Sequence, residues 1–304
     1  MSTLKTAMTE TEQQKKKPRR SREPNPFLRP FLKWAGGKRQ LLPVLKKHIP
    51  KSYKTYFEPF VGAGALFFAL QRPKAVINDT NQELINCYKV IKNNPEELLE
   101  KTKEHELNNS KIYYYDLRDL DRDKLEFDSL SDIDKAARII YLNKTCFNGL
   151  FRVNSQGQFN VPYGDNKNPV VAEHIVITTI SEYLNENEIE ILNRDFKDAV
   201  TDAKRGDFIY FDPPYDPISD SSSFTGYDLN GFGREEQIRL RDLCNELVGR
   251  GCQVLISNSS TDFIKELYRD YTVKEVQASR NINSVGTSRG KINELLIFRN
   301  YDVI

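Results

Sequence analysis

Residues 55–70 read Thr55-Tyr-Phe-Glu58-Pro-Phe60-Val-Gly62-Ala-Gly64-Ala-Leu-Phe-Phe-Ala-Leu70. The apolar run ending at Glu58 and Pro59 predicts a strand over Thr55–Glu58. Two glycines in three residues predict a tight turn, and Ala65–Leu70, free of Gly and Pro, predicts a helix. Glycines at a strand-to-helix turn let a ligand approach the backbone. An acidic residue ending the next strand can then accept hydrogen bonds from ribose hydroxyls. That strand is predicted over Ala75–Asn78 and is followed by Asp79. Asp79 stands 15 residues after Gly64, short of the roughly 20 of a dinucleotide fingerprint, and the third glycine is missing. A turn that merely packs a helix on a strand reads the same way. As a ligand site, its lack of a pyrophosphate cradle points to a nucleoside cofactor without phosphates.

Downstream the strand–helix rhythm stops. Residues 81–145 read as helical throughout, with Leu84, Ile85, Tyr88 and Ile91 on one face and Ala137, Ile140, Tyr141 and Lys144 on another. Residues 147–164 hold two short alternating arms around Ser155-Gln-Gly157, which predicts a β-hairpin. Strands are predicted again at Ile189–Leu192, Phe208–Phe211, Val254–Ser257, Thr272–Val276 and Glu294–Phe298, with a helix over Arg234–Gly249. The layout is an α/β domain interrupted by a mostly helical insertion. Its expected parts are a basic disordered tail at 1–28, a catalytic domain at 29–83 plus 173–304, and the insertion at 84–172.

Asp212-Pro213-Pro214-Tyr215 follows the run Phe208-Ile-Tyr-Phe211 directly. Proline fixes φ and removes a backbone donor, so two in succession make a rigid exit from the strand. A carboxylate, a free carbonyl at Pro213 and the Tyr215 ring then form a pocket for a planar amine. The two acceptors suit an exocyclic NH2, and the ring suits stacking.

The formal net charge is only +2, which taken alone argues against a general nucleic-acid binder. The average hides an asymmetry. Residues 1–57 carry 15 basic and three acidic side chains, and residues 58–304 carry 30 basic and 40 acidic ones. Within the second part, residues 138–168 are locally basic, with Arg138, Lys144, Arg152 and Lys167 against Asp165; Arg280, Arg289 and Lys291 form a further basic cluster. No apolar run is long enough to span a membrane, and the N-terminus lacks a secretory apolar core. Four cysteines and three histidines are scattered without metal-ligand spacing, so no metal site and a reducing, cytoplasmic setting are expected.

Eight motifs occur in order between Phe31 and Phe298: Phe31-Leu-Lys-Trp34-Ala-Gly-Gly-Lys38, Glu58–Gly64, Asn78-Asp79, Phe147-Asn-Gly-Leu-Phe-Arg152, Phe159-Asn-Val-Pro-Tyr-Gly164, Asp195-Phe196, Asp212–Tyr215 and Ile256-Ser-Asn258. With them the chain resembles the S-adenosylmethionine-dependent DNA adenine-N6 methyltransferases of the Dam and DpnM type, which act on GATC. The resemblance implies a Rossmann-like methyltransferase sheet with an inserted, mostly helical target-recognition domain carrying the hairpin. It also implies methyl transfer from S-adenosyl-L-methionine to N6 of adenine in double-stranded DNA, after the base is flipped out. By the same resemblance Asp212, Pro213 and Tyr215 are the catalytic residues. Trp34, Lys38, Phe60, Gly62, Gly64, Asp79, Asp195, Phe196 and Asp212 hold the cofactor, Lys38 by pairing with its carboxylate. Asp195 and Phe196 bracket its adenine.

Lys33, Phe147, Asn148, Leu150 and Arg152 are the expected DNA contacts. Phe147 fills the extruded base's place, Arg152 reads a guanine, and Lys33 touches the outer G·C pair. Phe151 and Phe159 are expected to pack inside. Trp34 also reads as a core residue and Asp195 as a helix N-cap. After Gly164 the family commonly has a basic and then an aromatic residue, where this chain has Asp165 and Asn166. The expected partner is duplex DNA, with a monomer acting alone or beside a restriction endonuclease cutting the same site. Other readings are an amino-methyltransferase acting on RNA adenine or a protein amide, and a catalytically silent DNA-binding homologue.

Overall fold

A computed structural model describes residues 23–34, 36, 38–166, 168–217, 231–279 and 291–301. The tail through Arg22, Lys167, and Arg280 with Arg289 lie outside the described residues, as does the side chain of Lys291. The elements in chain order are α1 Leu42–Lys46, β1 Tyr56–Glu58, α2 Ala65–Leu70, β2 Lys74–Asn78, α3 Gln82–Asn93, α4 Pro95–Leu107, α5 Lys111–Asp119, α6 Lys124–Ser129 and α7 Asp132–Thr145. They continue with α8 His174–Glu186, β3 Glu188–Leu192, β4 Phe208–Phe211, α9 Arg234–Gly249, β5 Gln253–Ser259, α10 Asp262–Leu267, β6 Thr272–Ser279 and β7 Lys291–Arg299. The seven strands form one sheet of order β3-β2-β1-β4-β5-β7-β6. The first five pair in parallel, and β7 pairs antiparallel with both β5 and β6. This is the expected α/β architecture.

Parallel strands covered on both faces are buried throughout, and every residue of β1 and β4 is. Alternation along the strands divides the interior. Tyr56, Ile77, Phe208, Tyr210, Leu255, Leu296 and Phe298 join one apolar core with α3, α7 and α8. Phe57, Ile209, Phe211, Val254, Ile256, Leu295 and Ile297 join the core beneath α9. The long helical stretch shares the first core with the sheet, through Leu84, Ile85, Tyr88, Tyr114, Ile140 and Tyr141.

Its helices are separated by caps. Asn81, Ser110, Asp123 and Ser131 each accept a hydrogen bond from a first-turn N–H, and Pro95 starts α4. Among the described residues the predicted hairpin holds only two isolated bridges, Cys146↔Tyr163 and Val153↔Phe159. Pro162 cannot donate to a ladder. The left-handed pair Asn148 (φ 58°) and Gly149 (φ 66°) also bends the first arm away from an extended course.

Candidate functional site

In an open α/β sheet the ligand crevice lies past the carboxyl ends of the strands, where the strand order reverses. Here that point falls between β1 and β4, and both sequence motifs leave the sheet there. The glycine turn follows β1, with Gly62 at φ 49° and Gly64 at φ 74°. Asp79, at the end of β2, pins it: Oδ2 accepts from the Gly62 N–H at 3.0 Å and Oδ1 from the Asn81 N–H at 2.9 Å. Burial raises the Asp79 pKa while these N–H groups lower it. Asn78 ties the three strand ends together. Its Nδ2 donates to the carbonyls of Pro59 and Arg194, and its Oδ1 accepts from the Arg194 N–H. Tyr88 closes the turn by donating to the Gly62 carbonyl at 3.1 Å.

A Cβ on Gly64 would stand 2.6 Å from that Tyr88 hydroxyl, in a left-handed backbone. Gly64→Ala is therefore expected to destabilise the fold by about 1–2 kcal/mol from backbone conformation alone. Cofactor affinity should fall with it as the turn opens; thermal unfolding and calorimetric titration check both.

After β4, Asp212 faces the same side as Tyr210. Lys38, only 6% exposed, pairs with Asp212 Oδ1 at 2.8 Å, donates to the Gly36 carbonyl and lies 4.6 Å over the Tyr215 ring. The sequence reading gave Lys38 to a cofactor carboxylate; in this structure its partner is the carboxylate of Asp212. Asp212 Oδ1 is buried and makes no aligned hydrogen bond among the described residues. Burial raises the Asp212 pKa to about 6, against the lowering effect of Lys38.

Two further carboxyls surround it. Glu58 accepts from the Tyr56 hydroxyl at 2.8 Å, and burial pushes its pKa up to about 8. Glu294 on β7, also buried, accepts from the Tyr215 hydroxyl at 2.8 Å. The loop itself is strapped down: Gln237 donates to the Pro214 carbonyl, Asn258 to Gln237, and Ser259 and Thr261 to Asp216. Among the described residues nothing donates to the Pro213 carbonyl. The result is a carboxylate paired with Lys38 beside an aromatic ring on a strapped-down loop, an arrangement that suits a planar amine.

The aromatic residues are arranged less openly. Phe196 is 3% exposed, with its ring 5.4 Å from Phe60, 5.8 Å from Phe232 and 4.5 Å under the Arg239 guanidinium. A base between two rings needs roughly 7 Å, twice a stacking distance. The structure thus offers the partly buried Phe60 to the crevice, with Phe196 behind it. Asp195 is forked with Arg239 and also accepts from the Lys197 N–H at 2.9 Å. Contrary to expectation it does not cap a helix, because the short turn that follows begins at Asp198 with Lys197 at the cap position and no side-chain cap bond. Trp34 stands edge-on to the glycine turn, its Cδ1 3.0 Å from a Cβ placed on Gly62, and stacks on Phe151 at 4.5 Å.

Of the expected DNA contacts, Phe147 is half-exposed, Asn148 and Lys33 are exposed, and Leu150 is partly buried. Arg152 is exposed but folded onto the loop, donating through Nε and Nη2 to Asn160. Phe151 and Phe159 are buried, as expected. The basic surplus of residues 138–168 needs correction. Arg138 is fully buried, paired with Asp121 at 2.8 Å and donating to the carbonyls of Leu117 and Arg118, while Lys144 pairs with Glu173. Neither charge is available to a phosphate. Glu294, Gln237 and Asn143 were missed by the sequence reading. The signal available was a polar residue standing at an apolar register position, Gln237 three before Leu240 on α9 and Glu294 two before Leu296 on β7.

Comparison with known proteins gives a consistent set. The family model "D12 class N6 adenine-specific DNA methyltransferase" matches residues 34–282. Type II methyltransferase M1.LlaDCHI of Lactococcus lactis subsp. cremoris is 52% identical over 270 residues, covering 89% of this chain and 95% of that protein. Type II methyltransferase M.MjaIII of Methanocaldococcus jannaschii is 41% identical, covering 89% and 98%. A DNA adenine methylase of Escherichia coli is 35% identical, covering 88% and 94%.

Proposed function

Because the chain belongs to the D12 class N6 adenine-specific DNA methyltransferase family, we propose that it transfers a methyl group from S-adenosyl-L-methionine to N6 of adenine in double-stranded DNA, within GATC. The observation that carries this reading is the exit of β4 at the switch point, where the Asp212 carboxylate, paired with Lys38, stands beside the Tyr215 ring, whose hydroxyl is held by Glu294. The residues present fit the donor. Asp79 offers a carboxylate to ribose hydroxyls, Phe60 a ring face to a base, and the glycine turn carries no phosphate cradle. Gly62 and Gly64 would bring the backbone close; Trp34, Lys38, Asp195 and Phe196 would complete the cofactor wall. When bound, the donor supplies an electrophilic sulfonium methyl.

The adenine amine is a weak nucleophile because its lone pair is delocalised into the ring. Acceptance of its two N–H groups by Asp212 and the Pro213 carbonyl would favour the pyramidal amine needed for attack, through acceptors aimed at charge that develops in the transition state. The proton then leaves to Asp212 or to water. Tyr215 would hold the flipped base by stacking, worth roughly 1–3 kcal/mol, against a few kcal/mol of lost pairing. Recognition would belong to the insertion at 84–172: Phe147 in the vacated stack, Asn148, Leu150 and Arg152 at base edges, Lys33 at the outer pair. For a guanine contact Arg152 must release Asn160. The catalytic part is residues 29–83 with 173–304.

The Type II names of two relatives support a restriction endonuclease acting on the same site as partner, and DNA as substrate implies action inside the cell. Among the described residues no helix is long and apolar enough to cross a membrane. The enzyme is proposed to act as a monomer. The test is transfer of labelled methyl from S-adenosyl-L-methionine to duplexes that differ only at GATC, with RNA and protein as controls. Label confined to the GATC duplex is expected. Equal label in both duplexes would remove the sequence claim, and label only in RNA or protein would remove DNA as substrate.

A further inference from the structure

Asn143 lies near the end of α7 and is fully buried, yet none of the three hydrogen bonds of its side chain serves the helix. Its Oδ1 accepts from the Lys33 N–H at 2.9 Å; its Nδ2 donates to the Lys33 carbonyl at 2.9 Å and to the Gly149 carbonyl at 3.2 Å. One side chain therefore grips both main-chain groups of Lys33 and the backbone of the Phe147–Leu150 loop. The fit is tight: a Cβ on Gly149 would stand 2.4 Å from Lys33 Cδ and 3.3 Å from the Asn143 carbonyl oxygen. The next residue, Trp34, lies against Gly62 of the glycine turn and on Phe151 of the loop. Two positions before Lys33, Phe31 packs edge-on to Tyr88 at 5.1 Å, and Tyr88 holds the Gly62 carbonyl. A second tie runs parallel, since Arg29 and Lys144 both pair with Glu173 at the start of α8. The segment 29–34 is thus bonded on one side to the loop proposed to enter DNA and packed on the other against the turn proposed to hold the cofactor.

We propose that Asn143 is a positioning residue that locks Lys33 and the Phe147–Leu150 loop into one register, and that the locked segment couples duplex binding to cofactor binding through Trp34. The inference rests on the function proposed above. A buried amide whose donors and acceptor are all satisfied by main chain fixes geometry rather than adding charge, because leaving any one partner unpaired in the interior is costly. Coupling of this kind is reciprocal: whatever factor the cofactor adds to duplex affinity, the duplex adds to cofactor affinity.

The experiment uses the full chain, S-adenosylhomocysteine as a non-reacting cofactor, a GATC duplex and a duplex with its outer G·C pair replaced. Each ligand is titrated alone and in the presence of the other, for wild type, Asn143→Ala, Asn143→Asp and Gly149→Ala. In wild type each ligand is expected to tighten the other by at least about fivefold. In Asn143→Ala and Gly149→Ala that factor falls to about one, and preference for GATC over the outer-pair duplex falls about tenfold or more. Affinity for S-adenosylhomocysteine alone stays within about twofold. Asn143→Asp keeps the acceptor for the Lys33 N–H and loses both donated bonds, so it falls between. Wild-type coupling and preference in a folded Asn143→Ala overturn the proposal. Should Asn143→Ala fail to fold, Gly149→Ala, which leaves the buried amide in place, decides it by the same two readings. No mutual tightening in wild type also overturns it. No methyl transfer by wild type to any duplex would instead overturn the proposed function.

Discussion

Asp212→Asn is expected to lower the rate of methyl transfer by at least about 10²–10³-fold, the usual cost of removing one group aimed at transition-state charge, with duplex affinity within a few-fold of wild type. The substitution keeps the shape of the side chain and replaces one acceptor oxygen by a donor NH2. That donor would face the N–H groups of adenine and, on the other side, the Lys38 ammonium, 2.8 Å from Oδ1 in the parent structure. The approach of the amine is therefore disfavoured at the step where the carboxylate is meant to help.

Asp212→Ala is the less clean variant. It leaves the Lys38 ammonium 6% exposed and without its carboxylate. Removing one partner of a well-buried pair costs about 3–5 kcal/mol, and less here because the Asp212 side chain keeps 18% of its surface open. Single-turnover transfer, duplex titration and thermal unfolding on both variants separate chemistry from folding. An Asn variant that folds, binds and transfers within about tenfold of wild type would show that Asp212 is not the acceptor.

The strands and the two loops that leave them were legible because each is a local pattern. The run Phe208–Phe211 between Asp207 and Asp212-Pro-Pro matches β4 residue for residue, and Ala65–Leu70 matches α2. What was not legible depends on crossings between distant segments. Lys38 and Asp212 are 174 positions apart and meet because the turn that carries Lys38, ahead of α1, packs against α2 and reaches the end of β4, which no local spacing encodes. Glu294 alternates with Asn293 and Leu295 like any strand residue, and only the β5–β7 pairing carries it to Tyr215.

Arg138 misled in the opposite way. A basic residue is usually exposed, and its burial became possible only when Asp121 and two carbonyls from α5 converged on the guanidinium. Helix α8 escaped notice because His174–Glu186 is rich in β-branched residues, which favour strands. The signal lay in spacing: Val176, Ile177, Ile180, Tyr183 and Leu184 fall on one face, and all are buried.

The pH dependence of the wild type and of Lys38→Met tests the charge arrangement directly. Asp212 must be ionised to accept from the amine. With its pKa raised by burial to about 6, the active fraction is half near pH 6, falls about tenfold for each unit below, and is nearly complete at pH 8. The quantity kcat/KM for duplex at saturating donor should therefore rise through pH 6 and level off. Lys38 is the largest influence opposing that rise, and a cation within about 4–6 Å lowers a carboxyl by about 1–3 units. Methionine keeps the apolar stem and removes the cation. In Lys38→Met the whole acid limb should then move upward by about 1–3 units, the loss in rate being largest at low pH and largely recovered by raising pH. Glu58, pushed up to about 8, stays protonated across the wild-type rise and adds no second limb to it, whereas its titration overlaps the shifted limb of Lys38→Met. A merely structural role for Lys38 predicts something different, a loss of equal size at every pH with the limb unmoved. A role confined to the cofactor carboxylate predicts a higher KM for S-adenosyl-L-methionine with the same limb at pH 6. An acid limb in Lys38→Met that coincides with wild type would remove Lys38 as the group that keeps Asp212 ionised.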